Sequence, residues 1–91
     1  MIFNYTPHTL DKLEALLKSL GFKLRYERGN FKTGSCLLEN NRVVIVNKYS
    51  NLESKINALA DLLQSTDTDD TLLDDKQKAF LSELKQLKLE L

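Results

Sequence analysis

Few residues in this chain could do chemistry. It holds one cysteine, Cys36, and one histidine, His8. A thiol becomes a nucleophile where a base or a positive field ionises it. His8 falls in the first turn of the first helix suggested by the pattern and reads as an exposed helix-start residue. Cys36 lies in an apolar strand segment and reads as a small buried hydrophobe. One Cys and one His cannot supply the three or four N/S donors of a zinc site. Gly29 and Gly34 have the spacing of a phosphate loop, G-x-x-x-x-G. That loop needs Lys and Ser/Thr next, to neutralise phosphate and bind magnesium, and it must open a helix. Here Ser35-Cys36 follow and the chain enters a strand. The segment is therefore expected to be a connection with glycines at its bends and Phe31 tucked into the core. Asp67, Asp69, Asp70, Asp74 and Asp75 form the densest carboxylate group. A calcium loop counted from Asp67 would need Gly at its sixth position and Glu at its twelfth, where Leu72 and Lys78 stand. Capping and solubility account for these acids. No catalytic, cofactor-binding or metal-binding residue is expected, no cofactor is implied, and the chain is read as not an enzyme.

Binding is a different matter. Lys23, Arg25, Arg28, Lys32 and Arg42, with Lys48 and with Tyr26, Phe31 and Tyr49 among them, form a candidate surface for single-stranded nucleic acid, held by charge and stacking. The net charge is zero, but residues 1–48 carry eight Lys/Arg against four Asp/Glu, and residues 49–91 carry five against nine. The favoured reading is that basic strands and acidic helices neutralise each other within one domain or across a dimer, with Tyr26 and Phe31 buried.

The elements that must position these residues follow from the pattern. Ninety-one residues make one domain, 1–91. Thr6-Pro7 caps and opens a helix, Leu10, Leu13, Leu17 and Leu20 form its stripe, and Gly21 ends it. Residues 22–28 alternate as a half-buried strand. Cys36–Leu38 and Val43–Val46 follow, joined at Asn40-Asn41. Ser50 with Glu53 signals a capping box, and Leu52, Ile56, Leu59, Ala60 and Leu63 line the second helix. Residues 65–70 form an acidic linker, and a third helix is expected over 71–91, with Leu73, Phe80, Leu84, Leu87 and Leu91 on one stripe. The expected fold is α+β: an N-terminal helix, a three-stranded antiparallel β-meander and two C-terminal helices. Val43–Val46 is apolar on both faces, which asks for cover on both sides. Helices one and two can cover one face; helix three or a second copy must cover the other.

The order helix, strand, Gly29–Glu39, Asn40-Asn41, Arg42–Lys48 and amphipathic helix resembles an uncharacterised family of small bacterial proteins over residues 6–64. That resemblance implies no activity. More distantly, a hairpin feeding a helix is similar to the core of ImmA/IrrE-type zinc peptidases, which carry H-E-x-x-H on that helix. Here Leu52–Leu63 holds no His, so the similarity implies a non-catalytic relative with no transferable site residue. The resulting expectation is a small non-catalytic interaction or regulatory protein that associates with itself or with a protein partner. A nucleic-acid-binding module is the alternative. The longest apolar run is Val43–Val46, too short for a membrane span. The first residues lack the basic and apolar regions of a signal peptide, and one Cys makes no internal disulfide. A cytoplasmic location is expected.

Overall fold

Thr6 and Pro7 open the first helix, α1 (Pro7–Ser19), as the sequence predicts: the Thr6 hydroxyl accepts from the Thr9 amide at 3.2 Å. The structure, a computed structural model, describes residues 5–31, 34–38, 41–65 and 69–89. Gly21, at φ 95°, ends the helix. The Phe22 amide donates back to the Leu17 carbonyl and the Gly21 amide to that of Lys18, both at 3.0 Å. These two bonds satisfy carbonyls the last turn leaves open and fold Phe22 back into the core. A Cβ on Gly21 would meet nothing within 4 Å, so only the backbone resists substitution. Gly21→Ala is expected to cost about 1 kcal/mol and Gly21→Asn less, because Asn tolerates the left-handed region better. Urea unfolding of the two variants checks this order.

The sheet departs from the expected meander. Its strands are β1 (Lys23–Glu27), β2 (Gly34–Leu38) and β3 (Asn41–Asn47), in the order β1-β3-β2. β2 and β3 pair antiparallel, as a hairpin does, with Cys36 opposite Val43. β1, however, pairs with β3 and runs parallel to it, from Lys23↔Val43 to Glu27↔Asn47. The last strand is thus inserted between the first two. β1 and β2 flank it about 10 Å apart, two inter-strand spacings. A two-residue turn cannot make that crossing; the longer connection between Glu27 and Gly34 can. The second and third strands also exceed their expected bounds, and the side chain of Cys36 and the turn residue Asn40 lie outside the described residues.

Register sorts the faces. Leu24 and Tyr26 of β1 stand beside Val44 and Val46 of β3 and join the core cluster with α1 and α2. Lys23, Arg25, Glu27, Val43, Ile45 and Asn47 lie on the other face. The helix α2 (Leu52–Ser65) buries Ile56, Leu59, Ala60 and Leu63. Its cap is Asn51, one residue later than expected: Asn51 Oδ1 accepts from the Ser54 amide at 2.8 Å, while the Ser50 amide donates to the Asn47 carbonyl. Both residues are good caps, and the turn leaving β3 uses Ser50 first.

The third helix starts later than Thr71. A 3-10 turn, Asp70–Leu72, comes first, with the Asp69 carboxylate accepting from the Thr71 amide and hydroxyl. The helix α3 (Asp75–Leu89) then begins with a reciprocal cap. Gln77 donates its amide to Asp74 Oδ1 at 2.8 Å, and Gln77 Oε1 accepts from the Asp74 amide at 3.2 Å. Gln77 Nε2 also reaches Ser19 Oγ of α1 at 2.9 Å, and Gln64 Nε2 of α2 donates to the Leu84 carbonyl. Leu73, Leu81 and Leu84 are buried in the same cluster as α1 and α2, with Phe80 packed against it. Leu72 is exposed, while Leu87 and Leu91 lie outside the residues whose side chains are described. The third helix therefore docks in cis, on the helical layer, and not on the second face of the sheet. None of the described helices is long and apolar enough to cross a membrane.

Candidate functional site

The C-terminal ends of β1 and β3 carry the most developed surface feature. The connection after β1 crosses the end of β3, and one side chain pins it there. Asn47, 7% exposed, donates Nδ2 to the Gly29 carbonyl at 2.9 Å and to the Phe31 carbonyl at 2.7 Å. Its Oδ1 accepts from the Tyr49 amide at 3.0 Å. One planar amide thus ties the crossing loop to the turn that leaves β3. The Lys48 amide donates to the Glu27 carbonyl at 2.9 Å and extends the ladder past both strands.

This arrangement shapes an open depression of about 420 Å³ lined by Gly29, Asn30, Phe31, Asn47, Tyr49 and Ser50. Phe31 is 37% exposed and Tyr49 71%, so the depression has two aromatic walls reached by solvent. Phe31 is therefore not the core residue the sequence suggested. Its ring lies against Gly29, where an added Cβ would meet ring carbons at 3.0 and 3.1 Å. The glycine lets the ring settle on the backbone instead of burying itself.

The predicted basic residues do not form one patch. Lys23 and Arg25 share the open face of β1, as expected from alternation, but Arg25 donates to the Glu27 carboxylate at 2.8 Å. Arg42 lies on the opposite face, its guanidinium 4.1 Å from the centre of the Phe22 ring. β3 does lie beside β1, but the register sets Val43 opposite Lys23 and so turns Arg42 to the other face. Arg28 is exposed directly after β1, at the end where the depression opens. Lys32 lies outside the described residues. Lys48 and Tyr49 join Arg28 at this end; the sequence offered them only as neighbours of a strand, and the parallel pairing that gathers them had no local signal.

A smaller groove of about 180 Å³ runs between α1 and α3, lined by Lys12, Ala15, Asp74, Lys76, Gln77 and Phe80, with Lys12 Nζ 4.3 Å from the Phe80 ring centre. It is the seam of helix docking. Among the described residues no cluster of three His, Cys, Asp or Glu side chains has metal-site geometry. Among the described residues the titration of two carboxyls is displaced. Burial, and then Asp11, push Glu14 up against the opposing pull of Lys18 and Lys55. The Thr71 hydroxyl and amide hold Asp69 down. Neither touches the depression. No protein-family model, curated protein or solved structure matches this chain.

Proposed function

We propose that this chain is a small non-catalytic interaction protein that associates with a second copy of itself through the open face of its sheet, and that it acts in the cytoplasm. The observation that carries the reading is the placement of apolar residues on β3. Val44 and Val46 face the helices, while Val43, 5% exposed, and the half-buried Ile45 lie on the other face. Arg25 and Glu27 border that strip with opposite charges, which suits a two-fold contact in which each copy meets its own charges reversed. The described apolar residues of α3, Phe80, Leu81 and Leu84, pack in cis, which favours the sheet face over these residues as the surface for a partner.

Light scattering between about 10 μM and 1 mM protein decides the matter. A dimer is expected at the upper end, and Ile45→Lys is expected to return it to a monomer with an unchanged helical signal. A wild-type monomer throughout that range rejects self-association.

A further inference from the structure

We propose that the depression at the C-terminal end of the sheet takes single-stranded nucleic acid, with one or two bases stacking on Tyr49 and Phe31 and the adjoining phosphates meeting Arg28 and Lys48. The inference is independent of self-association, since it uses the end of the sheet and not its open face.

Four observations support it. First, two large apolar side chains exposed to solvent, Tyr49 and Phe31, line the same depression. An aromatic ring left in water at a pinned position is available to a flat partner at little conformational cost, and stacking accepts any base. Second, the walls are held. Asn47 fixes both the loop that carries Phe31 and the turn that carries Tyr49, and Gly29 fixes the Phe31 ring. Third, the flanking charge is positive. Arg28 and Lys48 are both exposed and neither is held in an ion pair among the described residues, unlike Arg25. No carboxylate lines the depression. Fourth, Asn30 and Ser50 bring an amide and a hydroxyl to the same walls, groups suited to base edges.

An acidic peptide would satisfy the cations but give the two rings no flat partner. A duplex would offer phosphates but keep its bases stacked inside. A single strand presents both groups together. The footprint is small, and a chain of zero net charge offers no long-range attraction, so binding is expected in the high micromolar range. Two phosphate contacts on a single strand give a slope of log K against log salt of about −1.4.

The test is fluorescence anisotropy of labelled single-stranded oligonucleotides of mixed sequence, titrated with the full chain at low and moderate salt. Duplex of the same sequence and inorganic polyphosphate serve as competitors. Expected results are saturable binding with the shallow slope above and weaker competition by duplex. Polyphosphate should compete only in proportion to its charge. Tyr49→Ala is expected to weaken binding about 5- to 100-fold, and Arg28→Glu to weaken it and flatten the slope. Both side chains are exposed, so both variants should keep the wild-type circular dichroism. Arg42→Glu, on the opposite face of the sheet, should leave binding unchanged. Absence of binding at 1 mM protein in low salt overturns the proposal. So does an Arg42→Glu loss equal to that of Arg28→Glu, which would mean diffuse charge. Binding unaffected by Tyr49→Ala and fully displaced by polyphosphate also overturns it. A concentration-dependent burial of Tyr49 without oligonucleotide assigns the rings to a protein contact and overturns it as well.

Discussion

Asn47→Leu is expected to be among the most damaging single changes on the sheet, lowering stability by about 2–3 kcal/mol. Leucine fills a similar volume, so the effect isolates hydrogen bonding from packing. The change leaves the Gly29 and Phe31 carbonyls and the Tyr49 amide without their partner. All three contacts are half-buried, so water replaces part of what is lost. Asn47→Asp makes a sharper variant. Its carboxylate still accepts from the Tyr49 amide, but the second oxygen faces two carbonyls with nothing to donate. The folded state disfavours the charged form, so the carboxyl pKa in the folded protein lies above its unfolded value of about 3.9. Whatever stability the protonated side chain supplies is present below that unfolded value and is lost as pH rises through the folded one. Urea midpoints of Asn47→Asp should therefore approach the wild type on acidification from pH 7 toward pH 4. Asn47→Leu should show no such recovery. An Asn47→Leu variant as stable as the wild type would remove the side chain from its role at the crossing.

The second large effect concerns α3. Leu84 is fully buried, and Leu84→Ala is expected to cost about 3–4 kcal/mol through lost transfer energy and the cavity left behind. A domain of this size holds about 5–10 kcal/mol in total, so the variant should be close to unfolding at 37 °C. The bond from Gln64 Nε2 to the Leu84 backbone carbonyl survives the change, which confines the loss to packing. Because α3 docks on its own chain, the wild-type and variant melting midpoints at 5 μM should shift equally at 200 μM, or not at all. A variant that gains more stability with concentration than the wild type does would mean that the helix is held by a partner copy, since mass action stabilises only what associates.

Much of this architecture was legible residue by residue. Thr6, Pro7 and Gly21 bracket α1 because each carries a backbone preference that acts within a turn. The leucine stripes name the buried faces of α1 and α2 because helical spacing is local geometry. Strand order is another kind of information. Alternation in residues 22–28 says which side chains share a face, but nothing in it says which strand lies beside it. Two signals bore on the answer. Val43–Val46, apolar on both faces, is what a strand with neighbours on both edges looks like. The Arg28–Thr33 connection is longer than a hairpin turn requires. Short links and sequential pairing argued for the meander instead, and the basic surface fails on register, since Val43 and not Arg42 stands opposite Lys23. The caps at Asn51 and Asp74 were missed for a smaller reason. In Ser50-Asn51 two equally good capping residues are adjacent, and Asp69 draws Thr71 into a turn of its own before α3 can start. The depression could not be read at all, because its two rings are 18 residues apart in the chain and the Asn47 amide, bonded to both segments, brings those segments together.

The insertion of β3 between its predecessors also fixes an order of events during synthesis. β1 emerges from the ribosome with no strand to pair with, since its partner lies about 20 residues downstream, and β2 follows with the same lack. Until residue 47 is available, the chain holds one helix and two unpaired strands. The closing loop then joins ends separated by a modest length, at an entropic cost that grows only slowly with size. The sheet therefore waits for its central strand, which is the last to be made. A nascent chain halted within β3 would present two bare strand edges to its surroundings, which makes this stretch the interval of greatest exposure to aggregation.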